Sequence, residues 1–180
     1  MKRALKTTLA VLMALTLTVA ALELTSSYQV TNTIHTNAPV ITRQQIVINA
    51  PSETVWKVFT DINNWSQWQK EISESKINGD FKAGTSFDWK SNGLTIHSTL
   101  HTAEANHSAG WSGPAFGAFA IHTWTFTRQG NSTVVEVNES MEGWLVSLFK
   151  SRFQSGLDAS IHYWLEALKV ASEKKNSTYS

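Results

Sequence analysis

Cysteine is missing from the 180 residues of this chain, which excludes disulfide bonds and thiolate metal sites. An excess of one charge is missing as well, because 15 lysines and arginines stand against 14 aspartates and glutamates, giving a net charge of +1. That balance gives no basis for binding nucleic acid electrostatically. Metal-ligand, P-loop, GxSxG and dinucleotide-binding motifs are also absent, so the sequence predicts no metal and no cofactor.

Aromatic side chains are what the chain has in abundance, with eight tryptophans and eight phenylalanines. A chain of this length can form one domain with a sizeable core. For any single tryptophan, packing in that core is the simpler interpretation, since large aromatics dominate cores. As a set they could instead line a cavity without filling it. The composition leaves both interpretations open.

The first 21 residues have the pattern of a secretory signal peptide. The opening MKRALK is basic, an uncharged stretch covers residues 7–22, and it ends in small residues. We expect cleavage near Ala20 or Ala21 and export to the periplasm or the medium. The alternative is a membrane anchor through residues 7–22, although that stretch is shorter than the ~20 residues that usually span a bilayer.

One domain is predicted over residues 40–174, between a polar linker at 22–39 and a polar tail at 175–180. It opens with a strand at 41–49 and two short helical segments, the second of which carries the Trp-x-x-Trp pair. Alternating segments between 71 and 142 then predict six further strands. The domain is thus predicted to be rich in β-structure.

The last part of the domain changes period. From Trp144 to about Ser172, apolar residues recur at steps of three and four, which predicts one long amphipathic helix. It is the only predicted element large enough to cover the apolar face of the sheet.

The segment HTWTFTRQGNSTVVEVNES predicts a β-hairpin that turns at Gly130-Asn131. This turn places His122 opposite Glu139, at the far end of an otherwise apolar face, with side chains close enough to hydrogen-bond. A histidine paired with a glutamate can transfer protons, as the cyclisation or dehydration of a polyketone requires. The alternative is a structural pair, in which the two groups orient each other at the rim of a cavity and do no chemistry.

Two stretches and the terminal helix resemble the SRPBCC superfamily, the helix-grip group that includes Bet v 1 and START domains, in its polyketide cyclase/dehydrase-like branch. The stretches are IVINAPSETVWKVFTDINNWSQWQ and HTWTFTRQGNSTVVEVNESMEGW. The resemblance covers about residues 40–172. It implies an α+β fold in which a curved seven-stranded antiparallel sheet wraps around a long C-terminal helix, with two short helices after the first strand. The shared motifs belong to the scaffold and carry over no catalytic residue.

A fold of this kind implies a cavity between the sheet and the long helix, and strand alternation predicts which side chains face it. The predicted ligand-binding residues are Phe87, Trp89, Ile96, Ser98, Trp111, Phe116, Trp124, Phe126 and Val137 on the strands, and Phe149, Phe153, Leu157 and Ile161 on the helix. An apolar wall with a few polar points is the usual lining of a small-molecule pocket.

Three functional hypotheses follow from the sequence. The leading one is an exported carrier whose partner is a hydrophobic or aromatic small molecule, such as a lipid or a polyketide-like compound. The second is a cyclase or dehydratase that uses His122 as general base or acid with Glu139 as its partner. The third is a structural or stress-related accessory domain with only a small cavity.

Overall fold

The computed structural model describes residues 2–177 of the protein. Residues 178–180, the end of the predicted polar tail, and Met1 of the predicted signal peptide lie outside the described residues. The elements in chain order are α1 (Lys2–Thr25), β1 (Val40–Ile48), α2 (Ser52–Phe59), a 3₁₀ helix (Ile62–Gln67), β2 (Ile72–Ile77), β3 (Ser86–Ser91), β4 (Leu94–Glu104), β5 (Ser108–Ala115), β6 (Ala118–Gln129), β7 (Ser132–Glu142), α3 (Trp144–Leu148) and α4 (Lys150–Ser177).

The seven strands form one antiparallel sheet in the order β1-β7-β6-β5-β4-β3-β2. The two ends of the sheet order are therefore β1, which comes first in the chain, and β2, which follows the two short helices. The long helix α4 packs against β1 and α2. These features confirm the predicted α+β helix-grip fold, including the pair of short helices after the first strand.

The hairpin of β6 and β7 has the predicted register. Gln129 pairs with Ser132 beside the turn, and His122 pairs with Glu139 at the far end. Gly130 has a φ of 62°, a conformation that a two-residue hairpin turn requires and glycine adopts without strain. Because a slip of one residue would move every side chain to the other face, the turn decides that His122 and Glu139 share a face.

The C-terminal segment is two helices, and the prediction of one continuous helix was wrong. Phe149, between α3 and α4, has φ −119° and ψ 37°, which is not a helical conformation. The helix α3 is held from outside, because the Leu145 N–H donates to the carbonyl of Gly117 in the turn between β5 and β6 at 3.0 Å. The apolar steps of three and four run through the break, so the period alone does not show it.

The segment predicted as a polar linker, 22–39, contacts the sheet. Tyr28 stacks on Phe119, with ring centroids 4.9 Å apart. The backbone N–H of His35 donates to the Ser140 hydroxyl at 3.0 Å. The segment therefore packs on β6 and β7, although its polar composition is that of a linker.

Within α1, residues Leu5–Thr25 form a helix long and apolar enough to span a membrane, with a mean hydropathy of 1.9. None of this stretch is buried against the rest of the described chain. A cleaved signal peptide and a retained anchor both have these properties, so the helix agrees with either outcome expected from the sequence.

A solid aromatic core fills the part of the interior that lies under α2, on the same face of the sheet as α4. Trp65, from the 3₁₀ helix, is at its centre and is fully buried. Its indole N–H donates to the Phe59 carbonyl at 2.7 Å. The rings with centroids within 6.4 Å of the Trp65 ring are those of Phe59, Phe87, Trp89, Trp111 and Trp164.

Gly113 and Gly156 differ in how much space surrounds them in the sheet and in α4. A Cβ added at Gly113 in β5 would lie 2.1 Å from the His97 carbonyl oxygen of β4, whereas one added at Gly156 in α4 would meet no atom within 4 Å. We expect Gly113→Ala to lower the free energy of unfolding by about 1–3 kcal/mol or more, because β4 must move. We expect Gly156→Ala to raise it by up to ~1 kcal/mol through helix propensity.

Urea unfolding followed by circular dichroism measures both changes. Equal stabilities for the two variants would contradict this account of the sheet.

Candidate functional site

A cavity of about 370 Å³ lies between the sheet and α4. Its volume falls in the range of roughly 300–1,000 Å³ that is typical of small-molecule sites. Exposed residues of its wall, among them Asn92, Arg152 and Gly156, mark where it opens to solvent. We call this opening the mouth.

Eight of the thirteen predicted ligand-binding residues line this cavity. They are Trp89, Ile96, Ser98, Trp111 and Trp124 from the sheet, and Phe153, Leu157 and Ile161 from α4. His122 and Glu139 line it too. Strand alternation predicts the positions on the sheet because every second side chain of a strand points to the same face, and the helical period predicts those on α4.

Three predicted residues, Phe87, Phe126 and Val137, do not line the cavity and are packed in the solid core. They lie farther along their strands, where rings from α2 and the 3₁₀ helix occupy the space. Phe59 meets Phe126 at a centroid distance of 5.0 Å, and Trp65 meets Phe87 at 5.6 Å.

Phe116 and Phe149 also lie outside the cavity, and both are exposed. Phe116 is in the turn between β5 and β6, where the alternation of the strands no longer applies. Phe149 is at the break between α3 and α4, so a continuous helical period assigns it the wrong direction.

Small side chains form part of the wall that the sequence reasoning missed. The wall includes Gly113, Ala115, Ala118, Ala120 and Gly156. Ala118 and Ala120 continue the parity of His122 and Trp124, so alternation alone could have found them. They were overlooked because residues that create space carry no strong hydrophobic pattern.

The His122–Glu139 pair is buried at the wall of the cavity. His122 Nδ1 lies 2.8 Å from Glu139 Oε2, and the two side chains are 11% and 2% exposed. This distance is that of an ion pair, although the ring N–H is not aimed at the oxygen well enough to count as a hydrogen bond. The imidazole also stacks on Trp111, with centroids 4.9 Å apart. The described residues form no hydrogen bond to Nε2 of His122, and the residue lines the cavity.

Two other polar groups of the wall are already engaged, whereas the buried indole N–H groups of Trp111 and Trp124 have no hydrogen-bond partner within the described residues. The Trp89 indole N–H donates to the Ser98 hydroxyl at 3.0 Å, and the Ser160 hydroxyl donates to Glu71 at 2.8 Å. Arg152 is exposed at the mouth. The His122–Glu139 pair inside and Arg152 outside are the ionisable groups of the wall.

A second histidine, His101 of β4, lies over the neighbouring strand β5. The ring of His101 covers Gly110, where an added Cβ would come within 2.2 Å of it. Burial lowers the pKa of the His101 imidazole below its ordinary 6.5, and the charge of His122 adds to that lowering.

The sequence matches a family model over residues 29–172, and that family is described as polyketide cyclase/dehydrase and lipid transport. The chain belongs to this family. The match begins eleven residues before β1, inside the segment that packs on β6 and β7. No curated protein matches the sequence significantly.

Solved structures share the family's fold at low sequence identity. A hypothetical protein of Helicobacter pylori has a TM-score of 0.68 and 17% identity, over 81% of this chain and 99% of that one. The Zhui aromatase/cyclase of a Streptomyces species has a TM-score of 0.63 and 12% identity, over 75% and 94%. A START superfamily protein of Mycobacterium smegmatis has 0.57 and 14%, over 78% and 99%. At these identities the likeness shows the fold alone.

The half-buried His101 predicts a pH dependence of stability. Because its pKa in the folded protein is lower than the 6.5 of the unfolded chain, the unfolded chain binds more protons below pH 6.5. Stability is therefore expected to fall as the pH drops through 6.5, and His101→Gln is expected to flatten that slope. Thermal unfolding between pH 7.5 and 5 measures it.

The matched control is His107→Gln, since His107 is exposed in the turn after β4. If both variants keep the slope of the unmodified protein, the His101 ring is not the source of the pH dependence.

Proposed function

We propose that this protein is an exported carrier that binds a hydrophobic or aromatic small molecule, a lipid or a polyketide-like compound, between its sheet and α4. The observation that carries the proposal is a cavity of about 370 Å³ whose wall is dominated by indole, phenyl and aliphatic groups. Burial of apolar ligand surface there would contribute ~25 cal/mol per Å², without any catalytic group.

Family membership supports this proposal, because lipid transport is part of the family's description. The volume of the cavity speaks against the accessory domain with a small cavity. Export is supported by the basic start, the uncharged stretch and the apolar α1.

Gly156 provides a test that blocks the cavity without disturbing the helix. Its Cβ position opens into free space, and the residue lies on the cavity wall. We expect Gly156→Phe to place a ring in the cavity and to weaken the binding of 1-anilinonaphthalene-8-sulfonate at least tenfold. Fluorescence titration measures the affinity.

Ser155→Phe is the control, since Ser155 is the exposed neighbour of Gly156 and is not part of the wall. Equal binding by both variants would contradict the cavity as the site. Two results together would end the carrier proposal. The unmodified protein would fail to bind the probe, and native mass spectra of protein purified from its source would show no bound small molecule.

A second candidate function is that of a cyclase or dehydratase. It is favoured by the placement of the His122–Glu139 pair, which is buried and yet borders the cavity. In such a reaction His122 removes a proton from the carbon beside a carbonyl group, and that carbon forms a bond to a second carbonyl carbon. The resulting alkoxide takes up a proton, and the hydroxyl later leaves as water with a second proton. Glu139 would stabilise the imidazolium in between.

The enzyme hypothesis predicts that His122→Ala abolishes turnover of a poly-β-ketone thioester while the affinity for 1-anilinonaphthalene-8-sulfonate changes less than threefold. Product formation is measured by liquid chromatography. His162→Ala is the control, because His162 is exposed on α4 and outside the cavity wall. If the unmodified protein and both variants turn over nothing, the pair is structural.

A further inference from the structure

Exposed apolar side chains are concentrated at one end of the sheet. Of the seven large hydrophobic residues that are exposed between Val40 and Ser177, four lie there. They are Leu94 at the turn between β3 and β4 (58% exposed), Phe116 at the turn between β5 and β6 (57%), Leu148 at the end of α3 (67%) and Phe149 between α3 and α4 (49%). We call these four residues the apolar end. The remaining three are scattered on β1 and α4.

The mouth of the cavity lies at the same end. Asn92 comes from the turn that carries Leu94, Ala115 immediately precedes Phe116, and Arg152 follows Phe149 by three residues; all three line the cavity. A surface that covers the apolar end would therefore also face the opening. This arrangement connects a docking surface to the route by which a ligand enters.

The unpaired charge at this end is positive. Lys150 and Arg152 are exposed at the start of α4, and neither forms an ion pair within the described residues. The acidic groups nearby are engaged. Glu23 accepts hydrogen bonds from the Trp144 indole at 3.0 Å and the Gly117 backbone at 3.1 Å, and Glu142 pairs with the ring of His35.

The chain also leaves its apolar N-terminal helix at this end. Glu23 lies in the last turn of α1, and its contacts with Gly117 and Trp144 place that turn beside Phe116, whose ring meets Trp144 at 5.6 Å. Whether α1 is cleaved or kept, a chain that emerges from a membrane thus reaches the domain beside the apolar end.

We propose that the apolar end docks on an anionic lipid bilayer, so that the mouth opens against the membrane. Phe116 and Leu148 enter the headgroup region, and Lys150 and Arg152 contact lipid phosphates. A second copy of the chain fits less well, because a two-fold contact through this surface would bring its like charges together. The idea that a ligand passes through the mouth rests on the proposed carrier function. Docking itself is tested independently of ligand binding.

Because the chain has no native cysteine, one introduced cysteine can carry a fluorescent label at a chosen end of the domain. The full chain is used in the form that its cell produces. Leu148→Cys carries a polarity-sensitive fluorophore at the apolar end. Asn131→Cys carries it at the opposite end, in the turn between β6 and β7. With vesicles of phosphatidylglycerol and phosphatidylcholine, emission from position 148 is expected to move to shorter wavelength and to be quenched by doxyl lipids. Emission from position 131 is expected to stay unchanged.

The charge contribution has its own readout in this assay. Lys150→Gln is expected to raise the lipid concentration for half-maximal shift about fivefold, which corresponds to the ~1 kcal/mol that one cation contributes near an anionic bilayer. High salt is expected to act in the same direction. Lys150 is not part of the cavity wall, so this variant is expected to keep its affinity for 1-anilinonaphthalene-8-sulfonate measured without vesicles.

Three results would overturn the docking proposal. They are an unchanged label at position 148, equal changes at positions 148 and 131, and a shift at position 148 that grows with protein concentration in the absence of vesicles. The last result would identify a second copy as the occupant. Probe binding without docking sinks only this inference, and docking without probe binding sinks only the carrier function.

Discussion

The contact on which the structure depends is the meeting of aromatic rings around Trp65. These rings join the 3₁₀ helix, the sheet and α4 in one dense cluster, and they hold the sheet and the helix a fixed distance apart. Beyond the cluster, toward the mouth, the wall includes small residues such as Gly113, Ala120 and Gly156. Bulky spacers on one side and small residues on the other leave a void whose walls cannot collapse without disrupting the core.

What the sequence predicts well is local. The Gly130-Asn131 turn sets the hairpin register and so brings His122 to Glu139, and that pairing was confirmed. Positions farther along the strands could not be divided into core and cavity, because the boundary depends on Trp65, which arrives from another element. The break at Phe149 depends on a hydrogen bond from Leu145 to a distant turn, and no apolar period reports that bond.

The His122–Glu139 pair contributes little to the stability of the fold. An ion pair taken out of water gains little over well-packed apolar residues of the same volume, because desolvation offsets most of its attraction. The scaffold already has its strongest packing on the other side, around Trp65. We propose that the pair instead serves a bound molecule, either as a polar anchor for a carried ligand or as acid and base.

The division of the interior into a filled side and a hollow side separates two properties within one small domain. Residues around Phe59 and Trp65 hold the chain together, while those near the mouth mainly give the void its shape. Exchanges at positions such as Ile96, Phe153 or Gly156 can therefore alter which molecule fits at little expense in folding. A domain built in this way is well suited to diverge in selectivity during evolution while its architecture stays the same.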